Sequence, residues 1–245
     1  MNTMLSISGL AKSYGGLRVT CDISIDIARG ERHLLIGPNG AGKTTLFNLI
    51  SGDVPPDHGR IVIDAVDMTR MATAARVQHG VARTYQIITL FERDTLRSNV
   101  MLSLLGKTAG RWLPWGRLER GGLYAKAFEC LRRVGLESKA DLPLAHTSYG
   151  EKRRLEIAMA LAQEPRLLLL DEPLAGLSAE ERETVTRVLR EIPRHVTVLL
   201  IEHDMDVALS LADRVTLLHQ GAVVATGSRE EIANHPKTRE VYLGQ

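Results

Sequence analysis

The sequence is poor in cysteine, and the two cysteines it has do not form a recognisable site. Cys21 and Cys130 are the only two among 245 residues, and they lie far apart without the spacing of metal ligands. A chain of this length does not need a disulfide to complete its fold. We therefore expect both thiols to be reduced and buried, in a cytosolic protein.

An excess of charge of one sign and long apolar runs are also missing. Lys and Arg number 31 and Asp and Glu number 29, so the net charge of +2 favours neither a nucleic acid nor an anionic membrane as a partner. The longest apolar runs, such as 167–170 and 196–201, are far shorter than the roughly 20 residues that cross a bilayer. Residues 1–10 alternate like a strand and lack the basic start of a signal peptide. These absences predict a protein that stays where it is made.

What the sequence does contain is a succession of short apolar strands and amphipathic helices. Near the N-terminus the alternation predicts strands with one buried face, formed by Leu5, Ile7, Ile23, Ile25 and Ile27. Later strands alternate with helices, which predicts a mostly parallel sheet covered on both faces. Capping boxes of the S-x-x-E type predict helix starts at Ser178 and Ser228. Strands are missing between about 87 and 139, where helical segments flank a Gly-, Trp- and Pro-rich stretch.

A glycine-rich segment between a strand and a helix fits the pattern G-x-x-x-x-G-K-[ST]. Its residues are Gly37, Pro38, Asn39, Gly40, Ala41, Gly42, Lys43 and Thr44, and Thr45 follows as a further candidate nucleotide-binding residue. Glycines let successive backbone N–H groups surround a phosphate, and the helix N-terminus adds its dipole. Lys43 supplies a point charge to the β- and γ-phosphates, and the Thr44 hydroxyl is a Mg²⁺ ligand. We call 37–44 the phosphate loop, and it predicts binding of MgATP.

Two carboxylates follow the apolar strand at 167–170. Asp171 and Glu172 would lie at the edge of the sheet where α/β proteins bind ligands. Phosphoryl transfer depends on positioning and on neutralising charge more than on covalent chemistry. The order of the two residues predicts that Asp171 holds Mg²⁺ and that Glu172 accepts a proton from, or orients, the attacking water.

Between these two motifs, just before a helix, stands Thr147-Ser148-Tyr149-Gly150-Glu151. This segment, the signature motif, resembles the Leu-Ser-Gly-Gly-Gln signature of ABC ATPases. In that family the serine, the glycine backbone and the helix N-terminus bind the γ-phosphate of ATP held by a second subunit. The resemblance therefore implies that Ser148 and Gly150 carry this role, although the motif departs from the usual one at three positions.

Other landmarks of the family occur in the family's order, so the resemblance covers essentially the whole chain. It implies that Tyr14 stacks on adenine and that Gln86 contacts Mg²⁺ and the attacking water. It also implies that His203 hydrogen-bonds the γ-phosphate. Ser178 replaces the common aspartate in 174–178, the loop that touches the second monomer in this family. The catalytic set implied in this way is Lys43, Gln86, Glu172 and His203.

The expected fold class is α/β. The prediction is one domain over 1–245 with a P-loop NTPase core, a mostly parallel sheet and an N-terminal antiparallel β subdomain in 1–86 and 163–245. An α-helical subdomain is inserted at 87–162 and carries the signature motif.

Within the ABC family, the sequence resembles the larger ATP-binding subunit of importers for branched-chain, or hydrophobic, amino acids. The features that carry this resemblance are the segment 80–86, the stretch 106–122, the signature helix at 153–157, the segment 201–205 and the terminal 242–244. It implies a second ABC ATPase subunit, identical or different, two transmembrane permease subunits and, indirectly, a periplasmic or extracellular solute-binding protein. It implies no nucleic acid and a peripheral position on the cytoplasmic face of the inner (plasma) membrane.

Three other functions fit parts of the sequence. The ATPase of lipopolysaccharide export has similar motifs but should lack so long a stretch at 106–122. A soluble ABC ATPase acting on ribosomes or DNA usually has two such domains or an inserted coiled coil, and neither is found. A P-loop kinase or GTPase explains neither the signature motif nor His203.

Two surface hypotheses complete the interpretation of the sequence. The apolar segment after Gln86, formed by Ile87, Ile88, Leu90 and Phe91, is either core or a docking site for a membrane subunit. The basic cluster at 152–154 is expected to be a solvated helix face rather than a nucleic-acid site.

Overall fold

The computed structural model describes residues 2–85, 90–106 and 122–243. Gln86, Ile87 and Ile88 and most of the 106–122 stretch therefore lie outside the described residues. Contacts divide the chain into a first unit, Met1–Val81, Arg166–Glu172 and Pro193–Gln245, and a second unit, Ala82–Pro165 and Pro173–Ile192. The predicted subdomain boundaries at 87 and 162 stay a prediction.

An antiparallel sheet of four strands opens the first unit. The strands are β1 (Thr3–Tyr14), β2 (Leu17–Ala28), β4 (His58–Ile63) and β5 (Val66–Asp67), in the order β2-β1-β4-β5. Alternation gives β2 one buried face, with Ile23 and Ile27 fully buried while Asp22, Ser24 and Asp26 are exposed. The apolar face predicted from the sequence is therefore confirmed.

A second sheet has six strands in the order β10-β9-β3-β8-β7-β6. Its strands are β3 (Arg32–Ile36), β6 (Val81–Arg83), β7 (Leu167–Asp171), β8 (Thr197–Ile201), β9 (Arg214–His219) and β10 (Ala222–Ser228). Strand β3 is parallel to β8 and β9, β7 is parallel to β8, and β10 is antiparallel to β9. Residues in β7 and β8 are buried throughout, as expected when both faces of a parallel sheet are covered. The fold class is α/β, as the sequence predicts.

Parallel pairing brings the ends of three strands to one edge of this sheet. In register, Ile201 lies beside Leu35 of β3 and beside Asp171 of β7. The residues that follow these positions are the phosphate loop after β3, Glu172 after β7 and His203 after β8. The register alone therefore gathers the candidate catalytic residues of the first unit.

Helices of the first unit are α1 (Lys43–Ser51), α2 (Thr73–Gln78), α7 (Met205–Leu211), α8 (Arg229–Ala233) and α9 (Pro236–Leu243). Helix α1 ends at Gly52, whose φ of 84° is the left-handed conformation typical of a helix C-cap. The guanidinium of buried Arg76 donates to the carbonyls of Leu49 and Ile50 at 2.6 and 2.7 Å. A cation therefore satisfies the C-terminal carbonyls of the helix whose other end forms the phosphate loop.

Helices of the second unit are α3 (Leu96–Gly106), α4 (Leu123–Arg133), α5 (Tyr149–Ala162) and α6 (Ala179–Glu191), with short 3₁₀ turns at Glu137–Lys139 and Leu144–His146. Ser178 and Glu181 form a capping box at the start of α6, and Ser228 and Glu231 form one at the start of α8. Both predicted helix starts are confirmed. Among the described residues, no helix is long and apolar enough to cross a membrane.

Two predictions about individual side chains are wrong. Cys21 and Cys130 are free thiols as expected, but both are half-buried rather than buried. The basic cluster is not a solvated face, because Arg153 has no exposed side-chain surface and donates to Glu156 at 2.8 Å. The sequence pattern misleads here because α5 is covered on several sides, so a charged position on it is buried together with a charged partner.

Candidate functional site

The phosphate loop connects β3 to α1 in a conformation that requires glycine. Gly42 has a φ of 98°, and a side chain there would begin 2.7 Å from the carbonyl oxygen of Val19. Gly40 has a φ of 80° but faces open space, with no atom within 4 Å of the position that a Cβ would take. The loop is therefore packed on one side and open on the other, as a cradle for a phosphate chain requires.

Lys43 is the first residue of α1 and bends back over the loop. Its ammonium donates to the carbonyl oxygens of Gly37 at 2.6 Å and Pro38 at 3.0 Å. Burial lowers the pKa of Lys43, and the nearby carboxylates of Glu172 and Asp171 oppose that change. The cation is therefore held at the loop, close enough to the acidic strand end for the two carboxylates to act on its pKa.

Residues suited to Mg²⁺ are few. Thr44 is exposed in the first turn of α1, Thr45 is half-buried, and Asp171 is 2% exposed at the end of β7. No group of three or more His, Cys, Asp or Glu residues that could hold a metal occurs in the part of the chain that the structure describes. Mg²⁺ is usually bound by one or two protein oxygens together with substrate phosphates and water, so a hydroxyl and a carboxylate fit this metal.

Glu172 and His203 meet at the edge of the six-stranded sheet. His203 Nε2 lies 2.5 Å from Glu172 Oε1, and the backbone N–H of Glu172 donates to Ile201 at 3.0 Å. The backbone N–H of His203 donates to the buried carboxylate of Glu202 at 3.0 Å. Two residues that the sequence singles out from segments 31 positions apart are therefore in direct contact.

The backbone at Glu172 is strained. Its φ of 48° lies in the left-handed region, which costs a side chain other than glycine roughly 1 kcal/mol. Such conformations persist where the surrounding structure imposes them, often at functional sites. The carboxylate of this residue contacts His203, while Asp171, the preceding residue, is the last residue of the strand.

Ser148 and Gly150 form the second candidate site, at the start of α5. Ser148 is the N-cap of α5 and forms a capping box with Glu151. The Ser148 hydroxyl donates to Glu181 Oε1 at 2.9 Å, and the Gly150 N–H donates to the same oxygen at 3.0 Å. Two donors predicted to bind phosphate thus converge on a single anionic oxygen.

Arg153 is a residue that sequence reasoning missed. Besides Glu156, its guanidinium contacts the Tyr85 carbonyl at 3.1 Å and the Tyr149 hydroxyl at 3.2 Å. It thereby joins the signature motif to the residue just before Gln86. Burial raises the pKa of Glu156 to about 7, against the opposing effect of Arg153. The i, i+3 spacing of opposite charges beside Leu155 and Ile157 is the signal that could have identified this pair.

The predicted roles of two further candidates, Tyr14 and Gln86, are not tested by the structure. Tyr14 is 45% exposed, and the Lys12 ammonium lies 5.6 Å from the centre of its ring. One aromatic surface at the end of β1 is thus accessible to a base, and stacking on adenine stays a prediction. Gln86 lies outside the described residues, so its predicted contacts with Mg²⁺ and water also stay predictions.

Comparison with known proteins decides the family. The model of the ABC transporter family matches residues 20–175, a span that contains the phosphate loop, the signature motif and both carboxylates. The chain belongs to the ABC transporter family. It is therefore an ABC ATPase, and it binds ATP as a transporter subunit.

Relatives of this ABC ATPase include transporter subunits with different cargoes. It is 34% identical to the high-affinity branched-chain amino acid transport ATP-binding protein LivG of Salmonella typhimurium, over 99% of this chain and 98% of that protein. It is 36% identical to the lipopolysaccharide export system ATP-binding protein LptB of Acidithiobacillus ferridurans, over 100% and 98%. Among solved structures, a dimeric ATP-binding cassette in a post-hydrolysis state with ADP and Pi is 27% identical, with a TM-score of 0.79 over 92% of this chain and 99% of that one.

Replacing Glu172 by glycine should separate stability from activity. We expect the free energy of unfolding of Glu172→Gly, measured by urea denaturation, to stay level or rise by up to about 1 kcal/mol, because glycine relieves the strain. ATP turnover should be lost with the carboxylate. Gln220→Gly is the matched control, since Gln220 has the same φ of 48° in the exposed turn after β9. It should show the same change in stability with full turnover. A large loss of stability in Glu172→Gly alone would contradict the assignment of strain.

Proposed function

We propose that this ABC ATPase hydrolyses MgATP as one half of a head-to-tail dimer. In each composite site the phosphate loop of one chain and the signature motif of the other enclose one nucleotide, and hydrolysis reopens the dimer. The observation that carries the proposal is the convergence of the Ser148 hydroxyl and the Gly150 N–H on one anionic oxygen. A phosphate oxygen accepts hydrogen bonds from such donors in the same way as a carboxylate oxygen. The dimeric relative supports the same assembly.

Binding roles follow from the first unit. The phosphate loop and Lys43 bind the β- and γ-phosphates, and Tyr14 stacks on the adenine. Thr44, Asp171 and Gln86 hold Mg²⁺, which neutralises charge on the phosphate oxygens when it is bound. The carbonyls that now accept from the Lys43 ammonium keep it at the mouth of the loop until a phosphate takes their place.

The chemical step uses the pair at the sheet edge. Glu172 accepts a proton from the attacking water while the water oxygen bonds to the γ-phosphorus. The bond from the γ-phosphorus to the bridging oxygen breaks, and the products are ADP and phosphate. His203 donates to a γ-phosphate oxygen once nucleotide is bound, which requires its Nε2 to leave Glu172. The contact between Glu172 and His203 thus orients the carboxylate before ATP arrives.

We propose that the transported cargo is a branched-chain or other hydrophobic amino acid. LivG supports it, because the alignment covers nearly the whole of both chains. LptB is similar over the same span, so lipopolysaccharide export is the second candidate. The LptB alignment covers the whole of this chain, so the stretch at 106–122 does not separate the two candidates. Co-purification of the membrane subunits and a solute-binding protein, followed by a ligand screen on that protein, separates the two.

The composite site can be tested by mixing two inactive chains. Lys43→Ala removes the cation of one phosphate loop, and Ser148→Arg fills one signature site. A mixed dimer then keeps one intact composite site of two, so an equal mixture should recover about a quarter of wild-type turnover. Each variant alone should be inactive. Ser228→Arg is the control, because Ser228 caps α8 with the same type of capping box and belongs to the first unit, whereas the signature motif belongs to the second. Wild-type turnover by Lys43→Ala or by Ser148→Arg alone would contradict the dimer.

We also propose that Phe91 is part of the dock for a transmembrane permease subunit on the cytoplasmic face of the membrane. The Phe91 side chain is 56% exposed, which excludes the alternative that it belongs to the core. Its backbone is nevertheless fixed, because buried Asn99 accepts from the Phe91 N–H at 2.9 Å and donates to the Phe91 carbonyl at 3.2 Å. An aromatic side chain presented on a fixed backbone suits an interface anchor.

Phe91→Ala should abolish co-purification of the membrane subunits and leave the isolated chain intact. The free energy of unfolding should change by less than about 0.5 kcal/mol, because an exposed side chain loses little packing. Phe47→Ala is the contrasting variant, since Phe47 is fully buried and its truncation should cost about 3 to 5 kcal/mol. Basal ATPase activity of Phe91→Ala should be unchanged. Retention of the membrane subunits by this variant would contradict the dock.

A further inference from the structure

Glu181 occupies the signature site from within the same chain. One carboxylate oxygen, Oε1, accepts from both Ser148 and Gly150, at 2.9 and 3.0 Å. These two donors are the ones that the proposed composite site offers to a γ-phosphate. Glu181 is separated from them by 33 and 31 positions, so the contact is tertiary and not part of a local turn.

The second carboxylate oxygen of Glu181 takes part in the capping box of its own helix. Oε2 accepts from the Ser178 N–H at 3.2 Å, and the Glu181 N–H donates to the Ser178 hydroxyl at 3.3 Å. These two bonds complete the capping box of α6. One side chain therefore links the start of α5 to the start of α6, directly after the loop at 174–178.

Capping alone does not account for the bond to the signature motif. Glu231 forms an equivalent box at the start of α8, and its hydrogen bonds go to Ser228, within that box. Glu181 makes the corresponding bonds to Ser178 and, in addition, the bonds to Ser148 and Gly150. A side chain at Gly150 would begin 2.6 Å from the Glu181 carboxylate, so this glycine provides the space for the contact.

Hydrogen-bond donors and a helix N-terminus favour an anion at this position. Hydrogen bonds from Ser148, then from the Ser178 and Gly150 N–H groups, lower the pKa of Glu181, so its carboxylate is charged at neutral pH. It lies at the positive end of the dipole of α5, a helix of 14 residues. Arg154 lines the same pocket, which is otherwise lined by Ser148, Gly150, Glu151, Glu180, Glu181 and Thr184.

We propose that Glu181 is an internal competitor for the signature site, which the γ-phosphate on the second chain must displace before the dimer closes. The inference rests on the proposed composite site. One N–H and one O–H cannot serve a carboxylate and a phosphate at the same time, and two anions in one pocket repel each other. Displacement moves the Glu181 side chain away from α5 while its bond to Ser178 remains available.

Competition can be measured in the single chain with inorganic phosphate as the probe. The backbone amide signal of Gly150 is followed by ¹H–¹⁵N NMR during a phosphate titration of the wild type and of Glu181→Gln. Glutamine has nearly the same size as glutamate and keeps one oxygen for the capping box, but its side chain carries no charge. The Gly150 signal should reach its half-point at about tenfold lower phosphate in Glu181→Gln, because a charged competitor has been removed.

Two variants control for capping and for charge. Glu231→Gln makes the same change in the capping box of α8, and Glu183→Gln removes the charge of an exposed residue of α6 that does not line the pocket. The Gly150 half-point should stay within about twofold of wild type in both. An equal or higher half-point in Glu181→Gln than in wild type, or no response of Gly150 in either chain, would overturn the inference.

A second readout separates this inference from the proposed dimer. With a non-hydrolysable ATP analogue, Glu181→Gln should dimerise at a lower analogue concentration than wild type in sedimentation experiments. A wild-type dimer with the same midpoint in both chains would overturn the competition and leave the dimer standing. No dimer in either chain would contradict the composite site, while the phosphate titration still decides whether Glu181 competes.

Discussion

Parallel pairing of β3, β7 and β8 is the constraint on which the ATP site depends. The register that aligns Leu35, Ile201 and Asp171 makes all three strands end at the same edge, so the loops after them must converge. Lys43, Glu172 and His203 each follow one of these strands within a few residues. The positions of these candidate residues are thus set by backbone hydrogen bonds within the sheet.

Much of this arrangement could be predicted from the sequence because its signals are local. Each motif predicts its own local geometry from a few neighbouring residues. The motifs are the glycines at 37, 40 and 42 before a lysine, the apolar strand followed by Asp171 and Glu172, and the serine caps three residues before a glutamate. The structure places these features as expected, and the contact between Glu172 and His203 joins two of them. Their roles in binding and catalysis remain proposals.

What the sequence could not predict depends on contacts between distant segments. Arg153 was expected to be part of an exposed basic face, but its side chain is buried and donates to Glu156 and to the Tyr85 carbonyl, 68 positions away. The sequence predicts Glu181 only as part of the capping box of α6, but its Oε1 also accepts a hydrogen bond from Ser148 of the signature motif. In both cases a charged side chain on a helix takes a second partner that only the tertiary fold supplies. Helical periodicity carries no information about such partners.

The central claim is that ATP joins two chains and that its hydrolysis separates them. Sedimentation of Glu172→Gln with and without MgATP tests it most directly, because glutamine keeps the shape of the side chain but cannot accept the proton. Loss of a general base costs about 10² to 10⁴ in rate, so the ATP-bound state should persist. The account predicts a stable dimer with MgATP and a monomer without it, while the wild type returns to monomer as ATP is consumed. Wild-type turnover by Glu172→Gln, with no dimer at any ATP concentration, would contradict it.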